Sequence, residues 1–143
     1  MANAAEKRPW FGSWKPKRLI CPFACSDTMK TAYEKSKTLK FEFADDKIVD
    51  PSGMGLNCLL KPDYSGLKAT TARRYLMEWS NNEEANTKPE VKVQLPKTLG
   101  LQNDTQVTAG IIHCGGQGQN LIFVNSKQAF ARYEENAYWE LSR

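Results

Sequence analysis

The sequence predicts a single α+β domain with a largely antiparallel sheet, about three helices and an extended N-terminal arm. Three observations carry this. Residues 39–44 and 91–95 alternate apolar with polar side chains, as half-buried strands do, and 105–114 is the clearest long strand. Helical signals begin near residues 26, 67 and 126, two of them behind a Ser, Asp or Asn that can cap. The two kinds of segment are interspersed without a regular βαβ rhythm and without an internal repeat, which favours antiparallel pairing.

The charge is unevenly placed. The chain carries 20 basic and 16 acidic residues, and the whole excess of four lies within residues 1–18, so that 19–143 are formally neutral. This first stretch, MANAAEKRPWFGSWKPKR, also holds Trp10, Phe11 and Trp14. Pro9, Pro16 and Gly12 oppose a regular helix there. It therefore reads as a basic, aromatic arm (1–18) attached to a globular body (19–143).

The body follows in order. Residues 19–25 form a short apolar run fit for a sheet edge, since Pro22 cannot donate to a ladder. Ser26 or Asp27 caps a helix to about Leu39, with Met29, Ala32, Tyr33 and Ser36 on one face. The strand at 39–44 leads to a type I turn at Asp50-Pro51-Ser52-Gly53. A strand is expected at 54–60 and a helix at 67–80, with Ala72, Tyr75, Leu76 and Trp79 inward. NNEEANTKP, residues 81–89, reads as a solvated loop, and 91–95 as a strand ended by Pro96. Strands at 105–114 and 120–124 make a hairpin around the glycines of 115–119. A last helix follows from Asn125 or Ser126, with Phe130, Tyr133, Ala137 and Leu141 on one face. The expected core contains Phe41, Phe43, Leu76, Trp79, Ile111, Phe123, Phe130 and Tyr133.

Composition narrows the function classes. No apolar run approaches the roughly 18–20 residues of a membrane span, and the N-terminus lacks the apolar segment of a secretory signal. Cytoplasm, an organelle matrix or a virion is favoured over secretion. Cys21, Cys25, Cys58 and Cys114 sit in apolar stretches and are expected to be reduced core residues. Cys21, Cys25, His113 and Cys114 contain zinc-binding atoms. His113 and Cys114 are adjacent on a strand, however, so they point to opposite faces, and no metal or other cofactor is expected. The glycine loop at 115–119 feeds a strand rather than a helix, so it is not a phosphate cradle. His113 is the sole histidine, which leaves histidine-based acid–base chemistry one candidate and no partner at its side. No catalytic residue is assigned.

The arm is the feature that points to a function. Disordered tails are poor in aromatics, whereas Trp and Arg dominate interface hot spots. The expected partner-binding residues are Arg8, Trp10, Phe11, Trp14, Lys15, Lys17 and Arg18. The leading expectation is a non-enzymatic structural or accessory subunit, anchored to other proteins of a larger assembly through the arm. The alternative is a single-stranded nucleic-acid binder, with the basic residues on phosphates and the Trp rings stacked on bases. The neutral body ranks it second, because such binders spread basic residues over a face of the fold.

Overall fold

A computed structural model of the chain describes residues 8–58, 60–79, 89–133 and 137–143; the side chains of 78, 79 and 89–92 are not part of that description. The elements run β1 (Gly12–Ile20), α1 (Asp27–Ser36), β2 (Phe41–Phe43), β3 (Ile48–Val49), β4 (Lys68–Thr71), α2 (Ala72–Trp79), α3 (Pro89–Thr98), β5 (Gln106–Cys114), β6 (Gln117–Asn125), β7 (Gln128–Tyr133) and β8 (Ala137–Ser142). The strands form one antiparallel sheet in the order β3-β2-β1-β8-β7-β6-β5-β4.

The sheet curls, and the chain between β3 and β4 makes a seam that joins β3 to β5. Cys58 bridges Ile48 of β3 through N–H···O bonds of 2.9 and 3.2 Å. Asp63 bridges His113 of β5 through bonds of 2.8 and 3.1 Å. A disulfide between Cys58 and Cys114 ties the same seam, with Cα atoms 5.8 Å apart. Alternation along the strands then sends side chains to two separate cores. Trp14, Phe41, Phe43, Leu121, Phe123, Trp139 and Leu141 fill the inside of the curl. Ile122, Phe130 and Tyr138 point outward and are covered by Leu76 of α2 and by Leu95 and Leu99 on and just past α3. α1 packs on the inner cluster through Met29, whose sulfur accepts from Trp139 Nε1 at 3.4 Å.

The fold is therefore mostly β, with eight strands in one curled sheet against three short helices among the described residues, and not the α+β arrangement expected. The largest correction is at the C-terminus. The expected helix after residue 125 is the β7–β8 hairpin, in register at Ala129↔Leu141, Ala131↔Trp139 and Tyr133↔Ala137. Strands buried on both faces lose the apolar–polar alternation that marks half-buried ones. Here Phe130 faces the outer core and Tyr133 the inner one, so their helical spacing was coincidental.

The extended N-terminal arm is also corrected. Residues 12–20 are a central strand, paired with β2 at Trp14↔Phe41 and with β8 at Leu19↔Trp139. Pro16 is accommodated at a register shift between Pro16 and Arg18. The expected strand at 91–95 is part of α3 (Pro89–Thr98), which carries buried Leu95, with buried Leu99 four residues on. Residues 81–88 of the expected loop, and Ser80 at the end of the expected helix, lie outside the described residues.

The helix expected from 67 begins instead as β4 and becomes helical only at Ala72. The N–H groups of Ala72 and Arg73 bond to Thr105 O and Asn103 O, at 2.9 and 3.1 Å, which fixes that switch. Trp79, expected to point inward, has a side chain outside the described set. The strand expected at 54–60 is bends and irregular chain apart from the bridge at Cys58, with Leu59 outside the described residues. Gly53, with φ +77°, and the Asp50 side chain, which accepts from Ser52 N at 2.8 Å, hold the preceding residues in a turn. Ile111, expected in the core, is 38% exposed, while its neighbour Ile112 is fully buried.

The cysteines are paired rather than reduced: Cys21 with Cys25, and Cys58 with Cys114. Several expectations agree with the structure. Ser26 Oγ caps α1 by accepting from Met29 N at 3.1 Å. Phe41 and Phe43 face inward, and the β5–β6 hairpin turns at Gly115 and Gly116, where Gly115 has φ +62°.

Candidate functional site

The seven residues expected to grip a partner divide sharply. Trp10 is 8% exposed and stacks on Phe123, ring centroids 5.0 Å apart. Trp14 is fully buried and its Nε1 donates to Trp10 O at 2.9 Å. Phe11 packs on the same cluster, 5.3 Å from the Tyr64 ring. The guanidinium of Arg8 lies over Trp10 and Tyr64, at 5.5 and 5.8 Å. The aromatic set is thus the inner wall of the fold, and Arg143 covers it: its guanidinium sits 4.3 Å from the Trp14 ring centre and donates to Phe11 O at 2.7 Å.

The cations of β1 are also partly engaged. Glu140 on β8 is 2% exposed, so its charge needs partners. Arg18 supplies one through Nε to Oε1, Lys17 lies 3.8 Å from Oε2, and Gln128 Nε2 donates to Oε2 at 3.2 Å. Lys15 is exposed.

A second basic cluster forms around α2. The direct β4–α2 junction leaves Lys68, Arg73 and Arg74 exposed, Lys68 and Arg74 on one groove and Arg73 and Arg74 on the next. Thr71 Oγ1 accepts from Arg74 N at 3.2 Å and pins the first helical turn. Lys68, Arg74 and Tyr75 wall a groove of about 350 Å³ whose floor is Gly66, Ala109 and Gly110. The floor is backbone-tight: a side chain at Gly110, where φ is +155°, would place Cβ 2.0 Å from Gly66 O. Tyr75 is held by donating to Asn120 Oδ1 at 2.5 Å, and burial pushes its hydroxyl well above the ordinary range, so it stays a neutral donor. Arg74 also lines an adjoining groove of about 460 Å³, together with Arg73, Met77 and Asp104. β4 is the terminal strand of the sheet, and among the described residues no strand pairs with its outer edge.

No protein family, curated protein or solved structure matches this chain. Its function has to be argued from these surfaces. Arg73-Arg74 is legible in the sequence as a local basic pair; Lys68 is not, because only the strand-to-helix switch brings it beside them.

A cavity of about 10 Å³, the scale of one water, remains among Phe43, Leu56, Asp50, Gln119 and Leu121. Asp50, 5% exposed, accepts from Tyr133 Oη at 2.5 Å. Burial raises the Asp50 carboxyl above the ordinary carboxylate range, against the lowering effect of its bonds from Ser52 and Tyr133. A raised folded pKa contributes stability that is full below the unfolded value and is lost as pH rises through the folded one. Asp50→Asn should therefore gain stability relative to the parent as pH rises from about 4 to 7. Thermal melts of both proteins across that range check it, and parallel pH profiles would count against a buried, charge-disfavoured Asp50.

The histidine and its neighbour behave as strand alternation requires. His113 is exposed on the outer face of β5, whereas Cys114 turns inward to its disulfide with Cys58.

Proposed function

We propose that the protein is a non-enzymatic accessory subunit that docks an acidic, extended segment of a partner protein along β4 and the first turn of α2. The observation that carries this reading is the placing of Lys68, Arg73 and Arg74 on two adjoining grooves beside β4, whose outer edge pairs with no strand among the described residues. An added strand would bond to the β4 backbone, and its carboxylates would meet the three cations. The docking surface differs from the N-terminal aromatics, whose rings pack inside the fold. Because disulfides persist in oxidising environments, the docking would take place in such a compartment.

The test uses a labelled oligo-glutamate peptide and, in parallel, a single-stranded oligonucleotide. Peptide binding should weaken about tenfold or more in Lys68→Glu/Arg74→Glu, as expected for lost charge pairing at an interface. An unchanged affinity would refute the assignment. Oligonucleotide binding that is tighter than peptide binding and falls steeply with salt would instead establish the nucleic-acid reading.

A further inference from the structure

The two disulfides occupy different environments. Cys58 is fully buried, and its bond to Cys114 joins segments 56 residues apart at the seam that closes the sheet. Cys21 and Cys25 are both partly exposed and enclose only Pro22, Phe23 and Ala24. Their surroundings are already anchored without them. On one side Leu19 and Ile20 pair with Trp139 and Tyr138 of β8; on the other, α1 is capped by Ser26 and seated by Met29. Opening this bond asks neither the sheet nor the helix to move. Cys21 packs against the inner cluster, whereas Cys25 is not among the residues packed there.

We infer that Cys21–Cys25 is an exchangeable disulfide that reacts in the folded protein with a dithiol substrate, and that Cys25 is its point of attack. A thiolate of the dithiol attacks Cys25 Sγ in line with the S–S bond. A mixed disulfide forms, the Cys21–Cys25 bond breaks, and Cys21 leaves with the electron pair and takes a proton from water. The second thiolate of the dithiol then attacks its own sulfur in the mixed disulfide. Cys25 is released and protonated, and the substrate leaves as a disulfide. Two electrons have passed from the dithiol to the protein, and the reverse sequence re-oxidises the pair. Cys58–Cys114 exchanges more slowly, because Cys58 is fully buried and only Cys114 is partly exposed, whereas both cysteines of the other pair are partly exposed.

The experiment treats the full folded chain with dithiothreitol, quenches by alkylation and locates modified cysteines by mass spectrometry, while circular dichroism follows the fold. Cys21 and Cys25 should be modified at least about tenfold faster than Cys58 and Cys114, as access governs exchange. The spectrum should not change at that stage, and oxidised glutathione should restore the bond. In the single variants, Cys25 of Cys21→Ser should form a mixed disulfide with oxidised glutathione faster than Cys21 of Cys25→Ser. Simultaneous opening of both pairs, unfolding when Cys21–Cys25 opens, failure to re-oxidise, or a faster Cys21 would each overturn the inference.

Discussion

Trp14→Ala lowers the unfolding free energy by about 3–5 kcal/mol, the usual cost of emptying a large buried aromatic site. Trp14 is fully buried, lies 6.1 Å from the Phe123 ring, and holds the preceding chain through its bond to Trp10 O. Its strand stands between β2 and β8, so a cavity there weakens the middle of the sheet rather than a fringe. Removing residues 8–20 altogether should abolish cooperative folding, because β8 and β2 would each lose a pairing partner. Urea denaturation checks both expectations. A loss below about 1 kcal/mol for Trp14→Ala would contradict the burial, being far under the ordinary core penalty.

The second large effect belongs to the seam. Replacing Cys58 and Cys114 together by Ala should cost about 4 kcal/mol, the loop-entropy expectation for a closure spanning 56 residues. The backbone bridges at Ile48–Cys58 and Asp63–His113 remain in that variant, so the sheet should persist at low temperature with a much lower Tm. Replacing Cys21 and Cys25 should cost less, since they close a loop of a few residues. Equal losses in the two double variants would contradict the distinction between seam and surface disulfide.

Where local chemistry decided the structure, the sequence could be read directly. The Ser26 cap, the alternation through Phe41 and Phe43, and the glycine hairpin of β5 and β6 each act within a few residues. Elements buried on both sides could not be read so easily. β7 and β8 lie between two cores, so apolar residues occupy both faces and leave no period of two to find. β1 was obscured for another reason. Pro16 and the basic residues suggested a free arm, but Pro16 falls at a register shift, and Lys17 and Arg18 serve the buried Glu140 across the sheet.

Of the candidate surface, Arg73-Arg74 was visible as a pair. Lys68 joins them only because the chain turns from strand to helix at Ala72, a switch imposed by bonds to Thr105 and Asn103. The cysteine pairing was hidden likewise, since the 56-residue separation of Cys58 and Cys114 carries no local signal.

Residues 12–20, basic and carrying Trp14, are a structural strand inside the sheet rather than an arm. Amide hydrogen exchange across residues 12–20, followed by mass spectrometry at neutral pH, tests it most directly. The amides of Lys15 through Ile20 that bond to β8 should exchange as slowly as those of β6 and β7, opening only with global unfolding. Exchange of this segment at the rate of an unprotected chain, while β6 and β7 stay protected, would show that it is not part of the sheet.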